Sequence, residues 1–204
     1  MFCLTTPTDP EWAPLALADL PRLLADHAHC ELKAAVNAMS LVPRLTEFTR
    51  VTRVLSELAR EELQHYEAVL LLLEKRGWPL GPPEKDRYAV ELREACQALP
   101  RARDIGPAVD RLLVAALIEA RSCERFKLLI EALEATDADP EVLALYTELF
   151  PSEARHYVTF IDLAAECLGG NRGLAEARVE ALAALEGIIV AGLARGTVRG
   201  VVHG

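Results

Sequence analysis

The chain is predicted to be all-α: four long helices in two antiparallel hairpins, one long crossover between them, and an additional C-terminal helix. Three observations carry this expectation. Hydrophobic residues make up 51% of the 204 positions but aromatics only 5%, with Ala and Leu dominant, which suits helices packed on helices better than sheets. Apolar residues recur at heptad spacing through four long stretches, so each stretch offers a continuous stripe to a core. The breaks between them are unequal: two are very short, and one, Gly77 to Gly106, is long.

Each element has its own signals. The first helix, about Leu20 to Ser40, carries the rows Leu24-Glu31-Ala38 and Leu20-His27-Ala34-Leu41. The second, about Pro43 to Arg76, carries Phe48-Leu55-Glu62-Val69 and Val51-Leu58-His65-Leu72; Pro43 suits a first turn, and Gly77 with Pro79 supplies the stop. The crossover holds a short helical patch, Arg87 to Leu99. The third long helix, about Pro107 to Ala135, gives Leu112-Glu119-Phe126-Leu133. The fourth, about Pro140 to Leu168, gives Tyr146-Glu153-Phe160-Cys167 and Val142-Leu149-His156-Leu163. Pro151, two residues before Glu153, should kink or restart it. A fifth helix, about Gly173 to Gly187, and a Gly-rich tail complete the chain.

In every row an acid or a histidine interrupts an otherwise apolar seam. Glu62-Leu-Gln-His65 and Glu153-Ala-Arg-His156 are both Glu-x-x-His words, and positions i and i+3 share one helix face. Each follows, one hairpin later, an inward glutamate: Glu31 before the first and Glu119 before the second. An unpaired buried carboxylate costs several kcal/mol, so four of them with two histidines require positive charge among them. Buried Arg or Lys could supply it, but the only candidates, Arg121 and Arg155, lie off the inward rows. Two metal ions supply it better, and Glu31, Glu62, His65, Glu119, Glu153 and His156 form the ligand set of a carboxylate-bridged dinuclear centre in a ferritin-like bundle. Hard oxygen donors with a few imidazoles suit two iron ions, with manganese as the alternative, over zinc or copper. Glu124 competes with Glu119 for the third-helix position, but its row (Leu117, Glu124, Glu131) is half polar, so Glu119 is preferred. Glu61 points about 100° from Glu62 and is read as solvated. His27, one turn before Glu31, either hydrogen-bonds that ligand or is an ordinary half-buried histidine; Tyr146 and Tyr157 are read as packing. No linker rich in Pro, Gly and Ser divides the chain, so residues 1–204 are expected to form a single ferritin-like di-iron domain.

Composition narrows the function classes. Five scattered cysteines without a C-x-x-C pair argue against a disulfide framework, a zinc site or the rubredoxin site that accompanies rubrerythrin-like peroxide reduction. No secretory signal or bilayer-length apolar run is evident, so a cytoplasmic protein without a membrane partner is expected. The net charge of −9 opposes broad nucleic-acid binding while leaving room for a local basic patch.

The words around the ligands add a resemblance. Asp26-His27-Ala28-His29-Cys30-Glu31, Leu58-Ala59-Arg60-Glu61-Glu62-Leu63-Gln64-His65, Ile118-Glu119-Ala120-Arg121-Ser122-Cys123-Glu124-Arg125-Phe126 and Ser152-Glu153-Ala154-Arg155-His156-Tyr157 closely resemble the MiaE family, the bacterial tRNA-(2-methylthio-N6-isopentenyladenosine) hydroxylases. The likeness runs from about Trp12 to Tyr157 and is weaker after Ala164. It implies a non-haem di-iron monooxygenase that hydroxylates the isopentenyl side chain of the modified adenosine beside the anticodon. O2 would be the co-substrate and a separate reductase would supply two electrons. The six ligands would be the catalytic residues, with His65 and His156 each capping one iron. An anticodon loop can splay its base into a pocket, and burying the prenyl group contributes about 0.8 kcal/mol per CH2. A local patch of Arg121, Arg125, Lys127, Arg155 and Arg172 is expected near the pocket mouth to meet the tRNA. The competing expectation is a ferritin-like ferroxidase or iron-binding protein with no tRNA substrate.

Overall fold

A computed structural model describes residues 3–136 and 138–195. Seven α-helices are present among them: α1 (Trp12–Leu17), α2 (Leu20–Leu41), α3 (Thr49–Lys75), α4 (Arg87–Ala98), α5 (Pro107–Thr136), α6 (Pro140–Cys167) and α7 (Arg172–Arg195). The described residues contain no strand. The starts of the helices follow local chemistry. Asp19 caps α2 by accepting from the Arg22 N–H, Asp86 caps α4 through Ala89, and Asp139 caps α6 through Val142, with prolines in the first turns of α2 and α6. Gly77, at φ 66°, adopts the left-handed conformation that closes α3, and its N–H donates to the Glu74 carbonyl.

Helices α2 and α3 form one hairpin and α5 and α6 the other; α4 and α7 pack outside them against α5 and each other. This is the ferritin-like arrangement of two hairpins and a long crossover. The core falls into two apolar clusters. One gathers Ala38, Leu55, Leu112 and Phe160, the other Leu24, Val69, Phe126 and Tyr146. On each of the four long helices the row carrying a ligand begins in one cluster and ends in the other. The interrupting glutamate therefore lies in a polar layer at mid-height of the bundle.

Several boundaries differ from the sequence expectation. Pro43 is the middle residue of a 3-10 turn, Val42–Arg44, instead of the start of α3. Leu45, 3% exposed, anchors the connection before α3 begins at Thr49. The short α1 has no periodic signature and was not foreseen. Helix α6 runs through Pro151 without restarting. Helix α7 is longer than expected and passes through Gly187, the anticipated stop. A Cβ there would come within 2.6 Å of the Thr6 hydroxyl and closer still to that of Thr5. Gly187 therefore serves the close approach of the N-terminal segment to α7, not a helix end. The Gly-rich tail and His203 lie outside the described residues.

Candidate metal centre

All six sequence-assigned side chains are buried in the mid-height layer: Glu31 from α2, Glu62 and His65 from α3, Glu119 from α5, Glu153 and His156 from α6. They form two overlapping groups, Glu31-Glu62-His65-Glu153 and Glu62-Glu119-His156. Within each group one donor atom from every residue lies within 4.8 Å of the others. Glu62 belongs to both. His65 turns Nδ1 to the centre, 3.5 Å from Glu31 Oε2, 3.4 Å from Glu62 Oε2 and 3.8 Å from Glu153 Oε1. His156 does the same, its Nδ1 2.8 Å from Glu62 Oε1 and 3.9 Å from Glu119 Oε2.

Those distances are short, yet four converging atoms make no hydrogen bond: Nδ1 of His65, Nδ1 of His156, and Oε1 of Glu62 and Glu153. Buried polar atoms left in this state are costly, and each calls for an explanation. Donor atoms facing a shared point instead of each other are what a cation between them requires. The electrostatics agree. Burial, then the charges of Glu31 and Glu62, push the Glu153 carboxyl up to about 8. Burial, then Glu153 and Glu62, push Glu119 well above the carboxylate range. Burial opposes the charge on His65, but Glu31 and Glu62 outweigh it and raise that imidazole to about 10. For His156, neighbours led by Glu62 overcome burial and raise it to about 9. Without a cation the layer has to share protons; a pair of divalent ions would replace them. The donor set fits a dinuclear metal site.

Around the ligands the structure makes assignments that periodicity could not. His27 is fully buried and donates from Nε2 to Glu31 Oε1 at 2.6 Å, holding that carboxyl below its usual range despite burial. It is clamped in turn, stacked on Tyr146 and edge-on to Phe126. Glu61 is not simply solvated. Its Oε2 lies 3.2 Å from His156 Nε2, and its Oε1 accepts from Arg155 at 2.5 Å. Glu124 stays out of the layer, accepting from the Thr8 N–H and hydroxyl and pairing with Arg121. His29, which carried no expectation, donates to the Gly81 carbonyl.

The expected basic patch is corrected. Arg121 is 0% exposed and Arg125 6%, so neither can meet a macromolecule at the surface. Arg121 is held by Glu186 of α7 through two 2.8 Å bonds, and Tyr88 donates to the same carboxylate at 3.0 Å. Arg125 lies over the Trp12 and Tyr88 rings. Arg155 pairs with Glu61, and Arg172 with Asp162 and Glu176. The register of α7 against α5, which selects Glu186, left no periodic signal in either segment.

A passage reaches the layer from outside. An inner cavity touches Glu31, Glu62, Glu119 and Glu153 and is walled by Ala34, Tyr88, Ala115, Ile118 and Phe160. Through shared walls at Asn37, Ala89 and Ile118 it adjoins an outer cavity of about 870 Å3 between α2, α4 and α5. Next to the carboxylates the inner end presents Ala34, Ala115, Ile118 and Phe160, with Ser122 beside them, while Lys33, Asp86 and Arg93 line it where it meets the outer cavity. Lys33, Asp86, Arg93, Arg101, Asp110 and Arg111 line the outer one.

A bundle with this ligand layer and this opening can be compared with known proteins. Residues 1–196 match the family described as tRNA-(MS[2]IO[6]A)-hydroxylase (MiaE). The chain belongs to the MiaE family. A Pseudomonas putida relative named tRNA 2-(methylsulfanyl)-N(6)-isopentenyladenosine(37) hydroxylase is 45% identical over 161 residues, covering 79% of this chain and 74% of its own. A Salmonella typhimurium protein of the same name is 28% identical over 212 residues, covering 80% and 75%. Among solved structures, "Protein 43 with aldehyde deformylating oxygenase activity from Synechococcus" superposes with a TM-score of 0.78 at 38% identity, over 91% of this chain and 88% of that one. Among the described residues, no helix is long and apolar enough to cross a membrane.

Proposed function

We propose that this chain is an O2-dependent tRNA hydroxylase acting on the isopentenyl side chain of 2-methylthio-N6-isopentenyladenosine beside the anticodon. In this reading two iron ions are held by Glu31, Glu62, His65, Glu119, Glu153 and His156, and a separate reductase supplies two electrons. In the same reading the enzyme acts where its tRNA substrate is, in the cytoplasm. The observation that carries the reading is the two-part cavity: an inner end with Ala34, Ala115, Ile118 and Phe160 beside the ligand carboxylates, opening into a wide, charge-lined vestibule. A prenyl tail fits the first and a nucleoside the second.

When bound, the iron pair supplies the activation of O2 that a C–H hydroxylation needs. The chain's own residues do the rest. Ile118, Phe160 and the Tyr88 ring hold the prenyl group and exclude water. Glu62, which faces both histidines, is placed to serve both metal positions, and His27 fixes the orientation of Glu31. Glu61 faces the outward nitrogen of His156 and can hold a proton there, keeping Nδ1 free as a donor to metal.

The solved relative named for aldehyde deformylating oxygenase activity shares the fold, but an aldehyde would leave the charged vestibule without a partner. The test is reconstitution: purified chain loaded with Fe(II), given O2, a chemical reductant and an anticodon stem–loop RNA bearing the modified adenosine. The expected product gains one oxygen atom on the isopentenyl group by mass spectrometry of the digested nucleosides. Bound iron with an unchanged nucleoside overturns the hydroxylase reading and favours ferroxidase or iron-binding chemistry.

A further inference from the structure

The acids of the vestibule are already neutralised. Asp86 accepts from Lys33 at 3.2 Å. Asp110 takes Arg178 at 2.9 Å, with Arg101 3.4 Å away, and Glu84 holds Arg22 at 2.7 Å. Most arginines elsewhere are satisfied in the same way, as Arg53, Arg76 and Arg121 show. Three others are different, of which Arg93 and Arg111 line the vestibule. Arg44 follows α2, Arg93 lies on α4 and Arg111 opens α5, and none has a carboxylate at ion-pair distance among the described residues. Arg111 is half-buried, and its guanidinium is fixed by Asn37 Oδ1 at 2.7 Å and Ser40 Oγ at 2.5 Å, both neutral. The positive charges of Arg44 and Arg93 both bear upon it. Three like charges from three elements, left uncompensated in a chain of net charge −9, are self-repulsive until an anion joins them.

We propose that Arg44, Arg93 and Arg111 form a phosphate clamp that grips the RNA backbone next to the nucleotide whose base enters the cavity. The clamp rests on the tRNA hydroxylase reading and deepens it. It gives an acidic protein a local cationic contact, and it replaces the buried Arg121 and Arg125 as the site of RNA recognition. Guanidinium forks match phosphate oxygens, and a half-buried, pre-positioned Arg111 loses little freedom on binding. Because phosphates position without reading sequence, the clamp sets the register of the loop while the cavity reads the modified base.

The test measures binding of a synthetic anticodon stem–loop RNA, carrying the modified adenosine, to the iron-loaded protein and to Arg44→Gln, Arg93→Gln and Arg111→Gln. Binding is followed across a range of salt, and turnover is measured in parallel on the stem–loop and on the free modified nucleoside. Each substitution should weaken RNA binding several-fold and reduce the slope of log affinity against log salt by about 0.7. Turnover should fall far more on RNA than on the nucleoside. Because Arg111 also ties Asn37 and Ser40, the exposed Arg44 and Arg93 keep the test independent of a folding defect. Unchanged RNA affinity and salt slope overturn the clamp, as does an equal loss on both substrates. Loss of rate only with a protein reductase, with RNA binding intact, assigns the surface to the electron donor instead. If the wild type hydroxylates neither substrate, the functional reading fails, while the salt dependence of RNA binding still decides the clamp.

Discussion

His65 and His156, from opposite hairpins, stack with ring centroids 5.8 Å apart and turn their Nδ1 atoms to different oxygens of one carboxylate, Glu62. This joins the two halves of the bundle through a single side chain. The other ligand carboxylates each belong to only one of the two donor groups. The asymmetry ranks the ligands.

Glu62→Ala should therefore lose both metal positions, whereas Glu119→Ala should retain one. Elemental analysis after Fe(II) loading and desalting reads this directly, with wild type expected to hold about two ions per chain. A Glu62→Ala protein that keeps the full complement would remove Glu62 from its shared role.

Ala89 lines both cavities from α4 and is 8% exposed. Ala89→Leu places extra carbons in the passage without touching a ligand. Iron content should be unchanged, and kcat/KM on modified stem–loop RNA should fall about tenfold or more as the prenyl group is displaced from its productive position. Unaltered kinetics would mean that substrate reaches the centre by another route.

The Arg121–Glu186 pair ties α5 to α7, and its partner Tyr88 ties α4 to the same point. Arg121→Met leaves the fully buried Glu186 carboxylate with Tyr88 as its remaining partner and should cost about 3–5 kcal/mol in urea denaturation. Replacing both, as Arg121→Met with Glu186→Leu, should recover part of that loss. A single substitution as stable as the double one would show that the pair is not coupled.

Arg76 and Asp139 join the end of α3 to the cap of α6. The Arg76 guanidinium, ahead of burial, holds the Asp139 carboxyl below its ordinary 3.8. A carboxyl lowered by folding stabilises fully above its unfolded value and loses that contribution as pH falls through the folded one. Asn caps a helix about as well as Asp, so Asp139→Asn isolates the ion pair. Its Tm should lie below that of wild type at neutral pH, and the gap should close below about pH 4. A gap independent of pH would assign the effect to the cap.

Much of this was legible in the chain because it was periodic. Glu31, Glu62, Glu119 and Glu153 interrupt apolar rows, and i,i+3 geometry attaches His65 and His156 to the same faces. Glu119 could be separated from Glu124 because one row is apolar and the other half polar. The N-terminal segment escaped this reading, and for α4 and α7 it gave a helix but not the contacts that seat it. Their placement depends on individual contacts such as Thr8 to Glu124, Tyr88 to Glu186 and Gly187 to Thr6, and individual contacts have no period. For the same reason Arg121 and Arg125 looked like surface charge: their spacing fits a solvated face until α7 and α1 cover it.

The sequence by itself determined the long helices, their pairing into hairpins and the six polar positions in the core, since backbone periodicity and burial cost act along one segment at a time. Only the tertiary structure decided which carboxylate faces both histidines, where the passage opens, and which arginines are left without a counter-charge. Those depend on the relative register of helices far apart in the chain, and that register is set by side-chain packing between them.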